Sequence, residues 1–320
     1  MKKYAIGIDI GGTNVPAAII DESGNIIHVI NKKTMAEGGP DAVIKRITDS
    51  INDLIKYFSE NIKTGKIIGI GIGAPGTLNH KKGQIITSPN LPQWRNIPLV
   101  ERISKEVKMP VFIDNDANCA AIGEHWIGAA NGTENAVLIT LGTGVGGGII
   151  INNKIYRGSH GTAGELGHIT ISAKGNRCVC GNFGCLEAYA SANSTAARAK
   201  ERLKREDTSS SLQTKKLSEI NAYEIYVQAE QGDRFAQSIL TESGSYLGVG
   251  IAAVANIFDP DVIIIGGGFA GAEKYLLPAA IDEAYKRSFK SVMDSIKITT
   301  AKLGNNAGII GAAKLAFDGD

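Results

Sequence analysis

The chain has 320 residues, with 34 lysines and arginines against 32 aspartates and glutamates, for a formal net charge of +2. This length allows one large domain or two ordinary ones, with a core that needs neither a metal nor a disulfide to be stable. The charges are spread along the chain, which excludes a basic arm for nucleic acid and a polybasic membrane anchor.

The apolar segments are too short to direct the chain into a membrane. Four uncharged residues separate Tyr4 from Asp9, which is less than the apolar core of a signal peptide requires. No run approaches the length of a membrane span. We therefore expect a cytoplasmic protein with reduced thiols, and with neither nucleic acid nor a membrane as a partner.

Apolar runs alternate with amphipathic segments, which predicts an α/β fold. Strands are predicted at residues 4–9, 15–21, 26–34, 66–74, 110–116, 135–142, 147–153, 261–268 and 296–303. Helices are predicted at residues 41–62, 191–206, 234–258, 272–289 and 306–317, with Asp41 as the N-cap of the first.

Two segments of the chain, residues 3–27 and 135–156, follow the same plan. Each runs through an apolar strand, a glycine and threonine turn, a second apolar strand, a polar turn and a short third strand. Two unrelated hairpins could give this pattern. The shared glycine and threonine content of the turns favours a duplication into two similar halves.

Glycine-rich stretches raise the question of a dinucleotide site. The pattern G-x-G-x-x-G occurs at residues 71–76 and 266–271. The first is followed by a turn and a strand instead of a helix. The strand after the second ends at Lys302 and Leu303 instead of at an acidic residue. Both departures argue against a dehydrogenase-type site.

The turns of the two repeated hairpins fit a phosphate better. In residues 9–14 (DIGGTN) and 141–148 (LGTGVGGG), glycines allow backbone N–H groups to approach an anion closely, and threonine adds a donor. Asp9 beside such a loop indicates a Mg²⁺ partner, held through water. Either loop alone could be a plain tight turn, but two of them in similar halves favour a nucleotide cleft.

Seven motifs, taken in order, give the chain a resemblance to a known family. They are DIGGT (9–13), SPNLPQW (88–94), IDNDAN (113–118), LGTGVGGG (141–148), HGTAGELGH (160–168), CVCGNFGCLE (178–187) and DPDVIIIGGG (259–268). The chain resembles the ROK family of sugar kinases over essentially its whole length, and most closely the family's bacterial glucokinases.

The resemblance implies an actin-like ATPase fold, in which two ribonuclease-H-like α/β domains enclose a cleft for nucleotide and sugar. It implies a small domain of residues 1–118 plus 305–320 and a larger one of residues 119–304. The implied reaction is ATP-dependent phosphorylation of glucose at the 6-hydroxyl, with Mg²⁺. The residues implied to bind ATP are Asp9, Gly11, Gly12, Thr13, Asn14, Gly142, Thr143, Gly144, Gly266, Gly267 and Gly268.

Phosphoryl transfer needs a group that takes the hydroxyl proton, and DNDAN offers two carboxylates. Asp116 stands where a predicted strand gives way to a helix, a place where function concentrates in α/β sheets. A carboxylate near its reference pKa of ~3.9 is a weak base, so it would orient the hydroxyl and accept the proton late. Helix capping is the alternative role for Asp116. Asp114 is the competing base, and the resemblance favours Asp116.

A hexose presents hydroxyls that each donate and accept, and every buried polar group left unmatched costs about 1–3 kcal/mol. Its site therefore needs carboxylates, amides and an imidazole. By the resemblance, the sugar-binding residues are Gly73, Asn90, Asn115, Asp116, Glu165, His168 and Glu187. The other four histidines are expected to be ordinary surface or packing residues.

Three of the four cysteines lie close together, in the spacing His168-x9-Cys178-x-Cys180-x4-Cys185. One imidazole and three thiols suit a tetrahedral structural Zn²⁺. The C-x-C spacing lacks the two intervening residues of a thioredoxin-type pair, and unliganded thiols remain the alternative. The resemblance favours the metal, which we expect to order the loop that carries Glu165, His168 and Glu187.

Two residues depart from the family pattern. Asn14 replaces a frequent lysine, which removes positive charge near the phosphates, and Pro16 is expected to mark a sheet edge or a bulge. An N-acylhexosamine or fructose kinase is an alternative function. So is a sugar-sensing regulator of the same family, although DIGGT begins at residue 9 and leaves no room for a preceding helix-turn-helix. We expect a homo-oligomer, either a dimer or a tetramer.

Overall fold

The computed structural model describes residues 1–88, 91, 93–205 and 208–320. Its strands are β1 (Lys3–Asp9), β2 (Asn14–Asp21), β3 (Ile26–Lys33), β4 (Lys66–Ala74), β5 (Thr77–Asn79), β6 (Gln84–Thr87), β7 (Arg95–Ile97), β8 (Val111–Asn115), β9 (Ala136–Leu141), β10 (Val145–Ile151), β11 (Lys154–Ile155), β12 (Val262–Gly266) and β13 (Lys297–Thr300). Its helices are α1 (Gly39–Asn61), α2 (Leu99–Val107), α3 (Asp116–Trp126), α4 (Glu187–Ala190), α5 (Ala192–Arg205), α6 (Ala222–Glu230), α7 (Arg234–Phe258), α8 (Glu273–Arg287), α9 (Lys290–Met293) and α10 (Ala307–Asp318).

The first sheet has the strand order β3-β2-β1-β4-β8. β1 pairs antiparallel with β2 and parallel with β4, and β4 pairs parallel with β8. β1 is buried at every position from Tyr4 to Ile8, as expected of a central strand with both faces covered. β3 at the edge instead alternates between half-buried and exposed side chains, so one of its faces meets water.

The second sheet repeats this arrangement, with the order β11-β10-β9-β12-β13. β10 and β11 form an antiparallel hairpin, and β12 pairs parallel with both β9 and β13. In both sheets the hairpin strands lie on one side and the parallel strands on the other. The duplication predicted from the two repeated segments is therefore confirmed.

The chain forms two compact units. The first comprises residues 1–134, 148–164 and 305–320, and the second comprises residues 135–147 and 165–304. Helix α3 lies wholly within the first unit. The domain division predicted from the sequence, with its boundary after residue 118, stays a prediction.

Several local expectations differ from the structure. Helix α1 begins at Gly39 after Gly38, so Asp41 lies in its first turn and pairs with Arg102 at 2.7 Å instead of capping the helix. The prediction of a sheet edge or bulge at Pro16 is wrong. β2 is an inner strand, the shift in its register lies between Ile19 and Ile20, and Pro16 pairs with β3 where the pairing with β1 has ended at Ala17.

A small antiparallel sheet, in the order β5-β6-β7, also went unpredicted. Its strands are three or four residues long, too short to give a periodic pattern that could be read from the sequence.

Helix α10 packs very closely on the first sheet. A Cβ atom on Gly7 would lie 2.0 Å from the carbonyl oxygen of Ile309, and one on Gly71 would lie 1.7 Å from that of Ala312. On another side of the helix, a Cβ on Gly311 would lie 1.7 Å from the carbonyl oxygen of Cys119 in α3. Only glycine allows these backbones to approach so closely, and the approach fixes α3 and α10 relative to β1 and β4.

None of the helices in the described ranges has the length and apolar character that a bilayer crossing needs.

Replacement of Gly71 by alanine is predicted to lower the free energy of unfolding by about 3 kcal/mol, because the new methyl group must displace backbone. Gly271 provides the control. It is exposed with no atom near its would-be Cβ, and Gly271→Ala is expected to change stability by less than about 0.5 kcal/mol. Urea unfolding of both variants measures the difference, and equal stabilities would contradict the packing described.

Candidate functional site

The carboxyl ends of three parallel strands bring polar residues together in the first unit. In the register of the sheet, Asp9 of β1 lies beside Gly73 of β4, and Gly73 lies beside Asp114 of β8. Ligand sites of α/β proteins lie at this edge, because the loops that leave the strands converge there. DIGGT and DNDAN, which are 105 positions apart in the sequence, begin at adjacent strand ends for this reason.

Two hydrogen bonds fix the base of the loop after β1, one within its backbone and one from the Thr34 side chain. The Gly11 N–H donates to the Asn14 carbonyl at 3.0 Å, and the Thr34 hydroxyl donates to the Gly11 carbonyl at 2.6 Å. Gly12 and Thr13 at its tip are exposed. The loop therefore has the shape expected of a phosphate-binding turn, with a fixed base and an accessible tip. Thr34, which is buried and which no motif contains, is the residue that fixes it.

Asp9 lies in a confined position at the base of this loop. Its carboxylate is packed between Gly308 at the start of α10 and Gly73. A Cβ on Gly308 would lie 2.8 Å from one carboxylate oxygen, and a Cβ on Gly73 would lie 3.6 Å from the other. Burial, with a smaller contribution from the negative charge of Asp116, raises the pKa of Asp9 from 3.8 to about 7. A bound divalent cation would favour the ionised form, so the donor set fits Mg²⁺.

The two carboxylates of DNDAN have different surroundings. Asp114 is buried, its Oδ2 accepts from the Arg157 Nε at 2.7 Å, and its Oδ1 accepts from the Asn118 side-chain amide at 2.8 Å. Asp116 is the first residue of α3, and its Oδ1 accepts from the N–H of Ala117 at 2.9 Å. Asp114 is thus held by an ion pair and a side-chain hydrogen bond, and Asp116 as the base stays a prediction.

The N-cap of α3 is Asn115. Its side-chain oxygen accepts from the backbone N–H groups of Ala117 and Asn118, and its amide donates to the Gly76 carbonyl at 3.3 Å. The capping role considered for Asp116 therefore belongs to its neighbour. The same contacts join α3 to the Gly73–Gly76 loop, where Gly76 has a φ of 97° that favours glycine. Asn90 lies outside the described residues.

In the second unit, two glycine loops follow adjacent parallel strands. Gly142 donates to the Gly144 carbonyl at 2.9 Å after β9, and Gly267, with a φ of 86°, turns the chain after β12. A Cβ on Gly267 would lie 2.3 Å from the Leu141 carbonyl oxygen, so the two loops are in direct contact. Residues 142–144 and 266–268, which the resemblance implies to bind ATP, thus lie side by side.

Glu187 connects the first of these loops to the cysteine cluster. One oxygen of its carboxylate accepts from the backbone N–H of Val145 at 2.9 Å, and the other accepts from the Cys178 thiol at 3.6 Å. A Cβ on Gly144 would lie 2.3 Å from the same carboxylate, so a larger residue there would displace the Glu187 side chain. The sequence predicted only a sugar contact for Glu187. The contact with Val145, 42 positions away, has no sequence signal.

The four predicted metal ligands come together, with all their ligand atoms within 4.8 Å of one another. Nδ1 of His168 lies 3.7 Å from the sulfur of Cys178, and the sulfurs of Cys180 and Cys185 are also 3.7 Å apart. Four ligands placed tetrahedrally at about 2.3 Å from a Zn²⁺ are separated by ~3.8 Å. The three cysteines of the cluster are free thiols in this structure, and with His168 they fit a structural zinc.

The two ring nitrogens of His168 face different groups. Nδ1 points to the cysteine cluster, while Nε2 lies 4.0 Å from a carboxylate oxygen of Glu165. The Glu165 carboxylate is thus near Nε2, at a distance longer than a hydrogen bond. Nδ1 is the nitrogen that the structure turns toward the cysteines.

The Asp9→Asn variant tests the buried carboxylate. Between pH 4 and 7 the folded chain holds a proton on Asp9 that the unfolded chain releases, so wild-type stability falls as the pH rises through this window. The variant lacks this penalty. The difference in free energy of unfolding, variant minus wild type, is therefore predicted to grow by about 2 kcal/mol from pH 5 to pH 8. Urea unfolding at both pH values measures this, and a constant difference would contradict the raised pKa.

The metal prediction is tested by zinc content. The purified wild-type chain is expected to hold one zinc ion, and Cys180→Ser is expected to weaken zinc binding by about tenfold or more. Cys119→Ala is the control, because Cys119 is buried in α3 and is not one of the four clustered ligands. Mass spectrometry of the metal after a chelator challenge measures retention. Equal retention in wild type and Cys180→Ser would contradict the assignment.

Comparisons with known proteins agree with this architecture. The model of the ROK family matches residues 5–318. A glucokinase from Halalkalibacterium halodurans is 38% identical over 98% of this chain and 94% of its own. A xylose repressor from Caldicellulosiruptor bescii is 32% identical over 98% of this chain and 77% of its own.

Among solved structures, a ROK family glucokinase from Streptomyces griseus, in complex with glucose and AMPPNP, superposes with a TM-score of 0.82. It is 34% identical, over 98% of this chain and 99% of its own. These neighbours confirm the predicted α/β class and the actin-like ATPase fold. A family match over nearly the whole length, with full-length relatives well above 30% identity, leaves one assignment: the chain is a member of the ROK family.

Proposed function

We propose that the protein is a glucokinase, which transfers the γ-phosphoryl group of ATP to the 6-hydroxyl of glucose. The observation that carries the proposal is the separation of the two carboxylates of DNDAN. Asp114 forms an ion pair with Arg157 and a hydrogen bond with the Asn118 side chain. Asp116 is the first residue of α3, at the carboxyl ends of parallel strands. A sensor needs only to bind sugar, whereas a carboxylate at the start of a helix, beside the carboxyl ends of parallel strands, stands where a base can act.

The similar proteins support this choice. A relative named a glucokinase is 38% identical to this chain, and a similar structure was solved with glucose and an ATP analogue. Both alignments cover 98% of this chain. The motifs on which the proposal depends lie within the span of the family match.

The proposed chemistry assigns Asp116 two tasks. It orients the 6-hydroxyl by accepting a hydrogen bond, and it takes the proton late, as the oxygen forms its bond to phosphorus and the bond from phosphorus to ADP breaks. Asn115, Glu165, His168 and Glu187 would bind the other hydroxyls. Mg²⁺, held near Asp9 through water, would neutralise phosphate charge.

The glycine loops would hold the phosphates of ATP through backbone N–H groups. Residues 11–14 and 142–144 have the closed base that such a loop needs. Residues 266–268 lie against the second loop and would contact the adenosine side of the nucleotide. Zn²⁺ would be structural, with His168, Cys178, Cys180 and Cys185 as its four ligands.

Other members of the family provide the alternatives. An N-acylhexosamine or fructose kinase would use the same base with a different sugar. A sugar-sensing regulator is favoured by one observation, the 32% identity to a xylose repressor over 98% of this chain. These alternatives differ in two measurable properties, the sugar that is phosphorylated and the binding of DNA.

The test is a coupled assay of ADP release over glucose, mannose, fructose and N-acetylmannosamine. We expect glucose to give the highest kcat/KM. Asp116→Asn is expected to lower kcat by about 100- to 10,000-fold. The control is Asp41→Asn, since the Asp41 side chain is 88% exposed on α1, and its kcat should not change. A much faster reaction with N-acetylmannosamine would reassign the substrate, and sequence-specific DNA binding without ADP release would support the regulator.

A further inference from the structure

Behind the DNDAN turn, Arg157 connects two carboxylates. It follows β11, and its Nε donates to the Oδ2 of Asp114 at 2.7 Å. Its Nη1 donates to the Oδ2 of Asp320 at 2.7 Å. The Arg157 side chain is only 15% exposed. No motif of the sequence contains this residue.

The bond to Arg157 fixes the orientation of Asp114, and Asp114 holds the turn that carries the proposed base. Its second oxygen, Oδ1, accepts from the backbone N–H of Asn115 at 2.7 Å and from the Asn118 side chain at 2.8 Å. Asn115 precedes Asp116 and Asn118 lies two residues after it. The backbone before Asp116 and the Asn118 side chain after it are therefore both tied to one carboxylate, which is itself tied to Arg157.

Arg157 also supplies charge compensation. Asp9, Asp114 and Asp116 lie at neighbouring strand ends, and like charges at such distances oppose one another. The guanidinium is the group that neutralises Asp114 directly. The planar guanidinium donates to two acceptors at once, Asp114 and Asp320. A lysine ammonium, on a flexible stem, is less suited to this geometry.

We propose that Arg157 is a positioning residue for phosphoryl transfer, which holds Asp114 and thereby sets the direction of Asp116 at the start of α3. This inference rests on the function proposed above. In this role Arg157 does not touch the substrate, and it acts only through Asp114. Asp320 accepts from Nη1 and does not contact the turn itself, so we expect its loss to lower the rate less than the loss of Arg157.

The first test compares four variants in steady-state kinetics with glucose and ATP. Arg157→Gln is expected to lower kcat by about tenfold or more, because small misplacements of a catalytic group have large effects on rate. Its KM for ATP should stay within about threefold of wild type, and Arg157→Lys and Asp320→Asn should retain more of the rate. Arg102→Gln, which breaks the exposed ion pair with Asp41, is the control and should keep the wild-type kcat.

The double variant Arg157→Gln/Asp114→Asn separates positioning from folding. It removes the buried charge that Arg157→Gln leaves uncompensated, so its thermal stability should recover relative to the single variant. The double variant should nevertheless keep the low kcat, because the tie between Arg157 and the turn is still missing. A double variant with wild-type kcat, or an Arg157→Gln variant with wild-type kcat, would overturn the inference.

Amide hydrogen exchange gives a readout that does not need activity. Peptides containing residues 115–119 should exchange faster in Arg157→Gln than in wild type or Arg102→Gln. Unchanged exchange in Arg157→Gln would overturn the inference. A wild-type chain that phosphorylates none of the sugars, but whose exchange responds as expected, would overturn the proposed function and leave the tie between Arg157 and the turn supported.

Discussion

The parallel register of three strand ends is the constraint on which the first unit depends. It brings Asp9, Asp114 and Asp116 into one small region, where like charges oppose one another and burial disfavours ionisation. The three carboxylates can lie close together because each has a different environment. Asp9 is confined between two glycines. Its burial, with a smaller contribution from Asp116, raises its pKa to about 7. Asp114 is neutralised by Arg157.

Asp116 lies at the start of α3, whose cap is supplied by the neighbouring Asn115. Three residues of one type, close in space, thus have three roles: a proposed cation site, a structural anchor and a proposed base. The glycines of β1, β4 and α10 make this possible, since they allow α3 and α10 to approach the sheet closely enough to support it.

In the second unit, the Glu187 side chain has two contacts that connect separate parts of the chain. One carboxylate contacts both the loop after β9 and the cysteine cluster, so the proposed nucleotide loop and the proposed zinc site share a side chain. The cluster itself provides four ligands at distances that suit a tetrahedral ion. Ordering of this cluster and ordering of the glycine loop are therefore linked through Glu187.

The parts of the site that could be predicted from the sequence are those encoded locally. The four proposed zinc ligands fall within 18 consecutive residues, and the glycine loops at residues 11–14 and 142–144 each lie between two strands of a predicted hairpin. The missed parts depend on distant pairs. Arg157 is 43 positions from Asp114 and 163 from Asp320. Pro16 was misread for a related reason, because the order of strands in a sheet cannot be read from a single strand.

The central claim is that Asp116 acts in the chemical step and does not merely bind sugar or cap a helix. Single-turnover measurement of phosphoryl transfer tests it most directly, with enzyme in excess over radiolabelled ATP and with saturating glucose. Asp116→Asn is expected to slow the transfer step by about 100-fold or more, while both substrates still bind to saturation. A transfer rate equal to that of the wild type would contradict it.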